Sequence, residues 1–336
     1  MATIKDVARL ANVSVGTVSR VISNTAQVKQ PLCDRVNAAI LELGYKPNLT
    51  ARALRTKRIE SIGLILPDIT NPFFSQLAKH VELEATKNNL TVMLMNSLDD
   101  KELEKKHLEL LLTYAPRGII VVAASSGQDY SFEGEIPIVA LDRDFKSYPR
   151  IKTDNTSAAA LVADHLHSLG HRRVLYISGG SNVKISASRQ SGFIDRMNEL
   201  HSTEDPTIVE TLEGNFNYDT GKTLGRKILS RKKRFRPTAI ACGSDQIAIG
   251  VLGVSYEMDV KVPKYLSVVG FDDINISSLV TPHLTTIRQP IKDLAKYAIE
   301  LLLSVIPTNE ISLQATLIIR NSTSVPYKGA VKQKKV

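Results

Sequence analysis

The alternation of apolar and polar residues changes character along these 336 residues and places the elements before any chemistry is considered. In the run TIKDVARLANVSVGTVSRVIS, residues 3–23, Ile4, Val7, Ala8 and Ala11 recur at the spacing of one helical face, and Asn12-Val13-Ser14 interrupts it. Thr3, with Asp6 three residues on, has a capping-box pattern, and Ser14 can cap a second helix whose Val15, Val18, Val21 and Ile22 make the inward face. Gly16, Thr17, Ser19 and Arg20 are left to look outward. Two short helices meeting at a tight corner form a helix-turn-helix, whose second helix enters the DNA major groove N-terminus first. Val15, Gly16 and Arg20 are then the side chains nearest base edges, with Thr3, Thr17 and Ser19 as further candidate DNA contacts. A helical hairpin without a nucleic-acid role would show the same periodicity.

From Ser61 the pattern becomes short apolar runs alternating with amphipathic stretches, which predicts a parallel sheet flanked by helices. Strands are expected at Ile62–Leu66, Thr91–Met95, Gly118–Val122 and Ile136–Leu141, separated by helices near Phe73–Asn88 and Lys101–Tyr114. The cycle then restarts with helix Ala158–Leu169, strand Arg173–Ser178, helix Arg189–Leu200 and strand Thr207–Leu212. Helix Asp219–Ser230, strand Ala239–Cys242, helix Gln246–Met258 and strand Leu266–Phe271 continue it. After strand Thr285–Arg288, a helix from Ile291 to Val305 and a last strand near Leu317–Arg320 are expected to return to the first lobe. The expected fold class is α/β, with an N-terminal helix-turn-helix domain and two Rossmann-like lobes joined by crossing strands.

Charge separates the two readings of the head. Through Arg58 there are ten Lys or Arg residues against Asp6, Asp34 and Glu42, a net of +7 out of +9 for the whole chain. The basic excess therefore sits where phosphate contacts would need it. The two cysteines, Cys33 and Cys242, are far apart and lack metal-ligand neighbours, so neither a disulfide nor a zinc site is expected and a reducing cytoplasm fits. Neither a signal peptide nor an apolar run long enough for a membrane span is read in the sequence.

The motif TIKDVARLANVS-x-x-TVSRVI, followed by LGYKPN at 43–48 and ARALR at 51–55, resembles the N-terminal domain of the lac repressor and purine repressor (LacI/GalR) family. The resemblance runs nearly the full length. PDITNPFF at 67–74, LGH at 169–171, RPTAIACGSDQIAIG at 236–250, VGFDD at 269–273 and LTTIRQP at 284–290 look like the effector core of that family, which is similar to periplasmic sugar-binding proteins. It implies a third helix from Pro31 to Leu43 and a hinge helix from Asn48 to Thr56 in which Leu54 is the hinge leucine. About eight residues are too few for a stable helix in water, so that segment should order only when two copies pair on DNA. Leu54 would then wedge open a base step from the minor groove, with Arg52 and Arg55 near the backbone; an ordinary linker with one exposed leucine is the alternative. The implied organisation is a DNA-binding domain over 1–46, a hinge over 47–58 and an effector core over 59–330. Within the core, lobe one comprises about 59–157 and 290–322, lobe two about 158–289, and a tail runs over 323–336.

In an open α/β sheet a ligand is expected in a cleft at the carboxyl ends of the strands. Residues expected there suit a sugar, whose hydroxyls each want a donor and an acceptor while its ring carbons lie on aromatic faces. They are Asn71, Phe73 and Phe74 after the first strand, Asp142 and Arg143 after the fourth, Arg189 opening a helix, Phe216 in a loop, and Asp245, Asp272 and Gln289 ending later strands. All but Asp245 match the ligand shell of ribose-binding proteins by resemblance, which implies Phe73 or Phe74 and Phe216 sandwiching a ring. Only one of Phe73 and Phe74 is expected to face the cleft. Arg189–Asp272 as a structural ion pair, Asp142–Arg143 pairing with each other and Asp245 as a helix cap are the plainer readings. Ser244 departs from the ribose receptors, which usually carry asparagine there.

Three classes of function follow. A ligand-controlled DNA-binding repressor uses both head and cleft. An enzyme acting on a sugar would need a phosphate-cradling loop, nucleophile elbow, metal cluster or dinucleotide fingerprint, and none is found. A basic architectural DNA binder would leave the α/β body without a purpose. The first reading implies a transcriptional repressor of a carbohydrate-utilisation operon, located in the cytoplasm at the nucleoid and without a cofactor. Its partners are a palindromic operator, a second copy of the chain and a small sugar, with a phosphocarrier co-regulator as an option. Ribose or another pentose is the expected effector; sucrose or another sugar, and a purine co-repressor, are the alternatives.

Overall fold

The computed structural model describes residues 2–23, 28–45, 59–124, 136–145, 148–181, 183–303 and 309–327. The chain divides into two compact units, Met1–Ile59 and Glu60–Val336.

The first unit holds α1 (Ile4–Leu10), α2 (Val15–Ser23) and α3 (Gln30–Leu43) around Val7, Ala8, Ala11, Val18, Val36 and Ala39. Both halves of the capping box form: the Thr3 hydroxyl and backbone N–H donate to Asp6 Oδ2 at 2.7 and 2.9 Å, and the Asp6 N–H returns to Thr3 Oγ1. Ser14 accepts from the Thr17 N–H at 3.1 Å and starts α2. Asn12 takes the left-handed conformation at the corner (φ 47°). Val15 corrects the expected inward face of α2. It is 39% exposed and looks outward with Gly16 and Arg20, whereas Val18 is fully buried. Arg35 was counted among the charges available to phosphate, but its guanidinium donates to the carbonyls of Ala11 (3.0 Å) and Asn12 (2.7 Å) and so clamps the corner from α3. The hinge segment, with Arg52, Leu54 and Arg55, lies outside the described residues.

The second unit contains two six-stranded sheets. One is built from β1 (Ser61–Leu66), β2 (Thr91–Asn96), β3 (Ile119–Val121), β4 (Ile138–Leu141), β5 (Arg150–Thr153) and β11 (Glu310–Leu313), in the order β11-β5-β4-β3-β1-β2 and parallel throughout. The other has β6 (Arg173–Ser178), β7 (Ile208–Glu213), β8 (Ala239–Cys242), β9 (Ser267–Asp272), β10 (Thr285–Arg288) and β12 (Thr316–Ile318), in the order β12-β10-β9-β8-β6-β7, with only β12 antiparallel. The helices are α4 (Pro72–Lys87), α5 (Lys101–Tyr114), α6 (Asn155–Ser168), α7 (Lys184–Glu199), α8 (Tyr218–Leu229), α9 (Asp245–Glu257) and α10 (Ile291–Leu303). Strands β1, β3, β4, β8 and β9 are buried at every residue, because central parallel strands are covered on both faces; hence their continuous apolar runs.

The chain passes between the sheets at 153–155, 288–291 and 313–316. The last passage corrects the expected ending. The strand that returns to the first sheet is β11, beside β5, whereas β12, where a first-lobe strand was expected, pairs with β10 of the second sheet. Residues 320–324 are fixed to that second lobe: Arg320 pairs with Asp273, the Ser322 hydroxyl donates to Val268 O at 2.6 Å, and His171 Nε2 lies 2.9 Å from Ser324 O. The second lobe thus keeps 316–324, assigned beforehand partly to the first lobe and partly to a free tail. Strand β5 is a second difference. Its Arg-Ile-Lys-Thr alternation, half-exposed beside the edge strand β11, carries no apolar run by which to find it.

Replacing Arg35 by alanine removes two hydrogen bonds from a charged donor, each worth about 1.5–3 kcal/mol. Amide hydrogen exchange should accelerate at least about tenfold across the α1–α2 corner and stay unchanged in the two sheets; equal exchange in both proteins would remove the clamp from the account.

Candidate functional site

The carboxyl ends of the parallel strands converge on a narrow space lined by Asn71, Phe73, Phe74, Asp142, Arg143, Ile185, Arg189, Phe216 and Asp272. Asn71 caps α4: its Oδ1 accepts from the Phe73 N–H at 3.1 Å. Phe73 and Phe74 follow in the first turn and meet edge to face, centroids 5.3 Å apart, each 4% exposed. Both line the cavity, which corrects the expectation that only one could. Successive residues on a helix diverge by about 100°, and this cavity wraps the end of α4 widely enough to meet both. Phe216 enters from the loop before α8 and lies over the ends of β6 and β8. A Cβ on Gly179 would stand 2.4 Å from its ring, so only glycine leaves room there.

Four ions share this space. Asp142, 1% exposed with φ 64°, follows β4, and both its carboxylate oxygens are buried without a hydrogen-bond partner. Burial pushes its carboxyl above the usual range, against the pull first of Arg189 and then of Arg143. It does not pair with its neighbour. The Arg143 guanidinium turns instead to Asp99 Oδ1 (3.0 Å) and the carbonyls of Ala123 and Ala124, stands 5.3 Å from the Phe74 centroid, and leaves Nε buried and unpartnered. Arg189 donates to Asp272 at 3.3 Å, to Gly243 O at 2.7 Å and to Asn155 Oδ1 at 2.7 Å, with its guanidinium carbon 3.7 Å from the Phe271 centroid. Asp272, at φ 114°, is pushed up to about 6 by burial, with Arg189 opposing. At the mouth, Lys184 of the second lobe lies 2.9 Å from Asp144 of the first.

Eight of the ten residues expected in the cleft are brought together here. Gln289 stands behind them, between Asp272 and Thr153. Asp245 does not belong to the cavity, nor does it cap a helix. Ser244 is the cap of α9, and Asp245 is a fully buried post that accepts from Thr286, from Ser277 Oγ (2.6 Å) and from the Ile274 N–H (2.9 Å). Burial and the Asp272 charge push it up to about 8. Arg189 lies in the second turn of α7 and does not open the helix. Reading the sequence missed Ile185, Thr153 and Asn155; the Thr-Asp-Asn run at a lobe crossing was the available signal. Among the described residues no group of His, Cys, Asp and Glu is arranged to hold a metal ion, and no helix is long and apolar enough to cross a membrane.

A helix-turn-helix head and a two-lobed core with a polar, aromatic-lined interlobe cavity define a ligand-responsive DNA-binding regulator. Residues 3–48 match the model of bacterial regulatory proteins of the lacI family, and residues 163–323 match the periplasmic binding protein-like domain. The chain is 34% identical over 336 residues to the transcriptional regulator GalR of Salmonella typhimurium (97% of each chain covered). It is 34% identical over 331 residues to the ribose operon repressor of Halalkalibacterium halodurans (96% of this chain, 97% of that one). A crystal structure of the lac repressor dimer bound to operator and the anti-inducer ONPF superposes with a TM-score of 0.79, at 25% identity, covering 96% of this chain and 99% of that one. The chain belongs to the LacI family. It is a DNA-binding transcriptional repressor with a periplasmic-binding-protein-like ligand domain, and it is not an enzyme.

Asp245 gives the folded core a pH signature. Its carboxyl titrates near 8 in the folded protein and near 3.8 when unfolded, so folding takes up a proton between these values and stability grows as pH falls through about 8. His80, His165 and His171 are held below 6.5 and oppose this only under that value. Between about pH 8.5 and 6.5 the core should gain on the order of 1–2 kcal/mol, read as a rise of a few degrees in Tm, and Asp245→Asn should flatten that rise. A rise of the same size in the variant would assign the proton elsewhere.

Proposed function

We propose that the chain represses a carbohydrate-utilisation operon and leaves its palindromic operator when a small uncharged sugar, ribose or another pentose, enters the interlobe cavity. The observation that carries this is Asp142. Two buried acceptor oxygens without donors, beside an unpartnered Arg143 Nε, fit two neighbouring hydroxyls of a sugar, and Phe73, Phe74 and Phe216 offer surface to its carbons. The charge balance disfavours a phosphorylated ligand: Arg189 is taken by Asp272 and Arg143 by Asp99, so neither guanidinium is left over to neutralise a phosphate. Among relatives, one is named for a ribose operon, and its likeness extends along nearly the whole chain.

In this reading the head works in the cytoplasm at the nucleoid, with exposed Val15, Gly16 and Arg20 toward base edges and Thr3, Thr17 and Ser19 nearby. Leu54, flanked by Arg52 and Arg55, is assigned the minor-groove wedge from the sequence pattern. A second copy is supported by exposed leucines on one lobe, Leu83 at 48% and Leu94 at 45%, the latter on the edge strand β2. A phosphocarrier protein stays an optional co-regulator.

Calorimetric titration with ribose, ribose 5-phosphate, sucrose and hypoxanthine tests the effector. Saturable ribose binding that weakens operator affinity is expected, with ribose 5-phosphate at least about tenfold weaker; tighter binding of the phosphate, of sucrose or of hypoxanthine would overturn the assignment. Asp142→Asn should lower ribose affinity roughly 10- to 100-fold, as expected for lost hydrogen bonds to a charged acceptor, while operator binding by the free protein stays unchanged. Leu54→Ala should weaken operator binding and leave ribose affinity alone, and equal operator binding by both proteins would remove the wedge.

A further inference from the structure

We propose that Thr153, Asn155 and Gln289 are positioning residues that fasten the ligand-side ion pair of the second lobe to two of the three interlobe crossings. Sugar binding at Arg189 and Asp272 thereby sets the angle between the lobes. The inference rests on the sugar-site reading of that cavity and adds to it the side chains through which occupancy reaches the crossings.

Four side chains and both the hydroxyl and the backbone carbonyl of Thr153 form a closed ring. Arg189 Nε donates to Asn155 Oδ1 at 2.7 Å, and Asn155 Nδ2 donates to the Thr153 carbonyl at 3.0 Å. The Thr153 hydroxyl donates to Gln289 Oε1 at 2.7 Å, Gln289 Nε2 donates to Asp272 Oδ1 at 2.7 Å, and Arg189 Nη1 closes the ring on the same Oδ1 at 3.3 Å. Each member is buried, from 1% exposure at Thr153 to 7% at Asp272. Thr153 and Asn155 bracket the first crossing, and Gln289 is in the second. The third is tied on from the same segment, since the Asp154 N–H donates to Leu313 O at 2.8 Å and Gln314 Nε2 to Asp154 Oδ2 at 3.3 Å.

The chemistry allows the ring one direction only. Arginine has donors alone, so Asn155 must present Oδ1 to it and Nδ2 to Thr153; ionised Asp272 has acceptors alone, so Gln289 must present Nε2 to it and Oε1 to Thr153. Thr153 Oγ1 is then obliged to donate. Neither amide can flip without setting donor against donor or acceptor against acceptor in a buried site, so the ions orient both crossings. A ligand that moves Arg189 or Asp272 must move Asn155 and Gln289 with it. A plain packing role would need only the volume of these side chains, and would not need the hydroxyl of Thr153.

Thr153→Val deletes that hydroxyl at nearly constant volume and leaves both ion contacts in place; Thr153→Ser restores it. Two readouts are needed. In full-length protein carrying Cys33→Ser with spin labels at Lys79→Cys and Lys222→Cys, one on each lobe, the ligand-free interlobe distance distribution is measured by pulsed electron resonance. It should broaden or shift in the Val variant and match wild type in the Ser variant. Operator affinity is then measured with and without saturating ribose. Coupling in this class of system is typically about 5- to 150-fold, and it should collapse to within about threefold in the Val variant and return in the Ser variant. Wild-type distances and coupling in the Val variant would overturn the relay. If wild-type protein does not bind ribose, the sugar assignment fails, and the ligand-free distances alone decide the relay.

Discussion

The core is organised around the burial of four charged side chains in one small interlobe space. A carboxylate removed from water loses several kcal/mol of hydration even after relaxation, and only well-placed partners offset it. Arg189, Asp272 and Arg143 have such partners, from carbonyls, amides and one another; Asp142 has the field of Arg189 and Arg143 but no donor within hydrogen-bond reach. The ligand-free site is therefore under-satisfied on the first lobe and satisfied on the second. In the proposed reading, a ligand bringing hydroxyl donors to Asp142 gains most where the protein has left a deficit, and by touching both lobes it stabilises their approach. Affinity and conformational bias then come from the same atoms, which is the condition for a ligand to shift an equilibrium at all.

The second lobe is cross-tied internally by buried hydrogen bonds. Asp245 ties β10, the Ile274–Ser277 turn and α9 into one body, and a Cβ on Gly270 would stand 2.1 Å from Asp245 Oδ1, so β9 can pass that post only as glycine. The C-terminal segment is fastened to the same lobe through Ser322 and His171. In the proposed relay, displacement of Arg189 or Asp272 passes to the crossings through Asn155 and Gln289, which bond them directly.

The sheets were legible because central parallel strands must be apolar on both faces, and the cleft residues because strand ends in such sheets face a crevice. What escaped notice did so for local reasons. The α7 start carries no cap signal, since Val183 precedes it without a side-chain hydrogen bond, and so Arg189 was placed at the helix opening rather than in its second turn. Strands β5 and β11 are half-exposed and alternate with charges, so the last return to the first sheet was assigned to a strand too late. Asp245 looked ambiguous because Ser244 and Asp245 are both able to cap; only the fold shows Thr286 and Ser277 waiting for the carboxylate. For Thr153 and Asn155 the Thr-Asp-Asn run marks only a polar crossing and not a role, because the arginine that gives Asn155 its role comes 34 residues later.

The head shows the same economy with charge. Arg35 belongs to the basic run that suggested DNA, yet its guanidinium is committed to the Ala11 and Asn12 carbonyls at the corner, so it shapes the reading helix and is withdrawn from phosphate. In the proposed reading, with Val15 and Gly16 at the groove-facing turn, base-specific hydrogen bonding on this helix falls largely to Arg20, and one good bidentate contact discriminates by only about 1–3 kcal/mol. A repressor using such a head must add readings to be specific, from a second head at a fixed spacing and from deformation of the DNA between them. Specificity that depends on the pairing of two weak readers is also easily withdrawn. An effector need not touch the head, because a change of a few kcal/mol in how the two cores present their heads is enough to dissolve the sum.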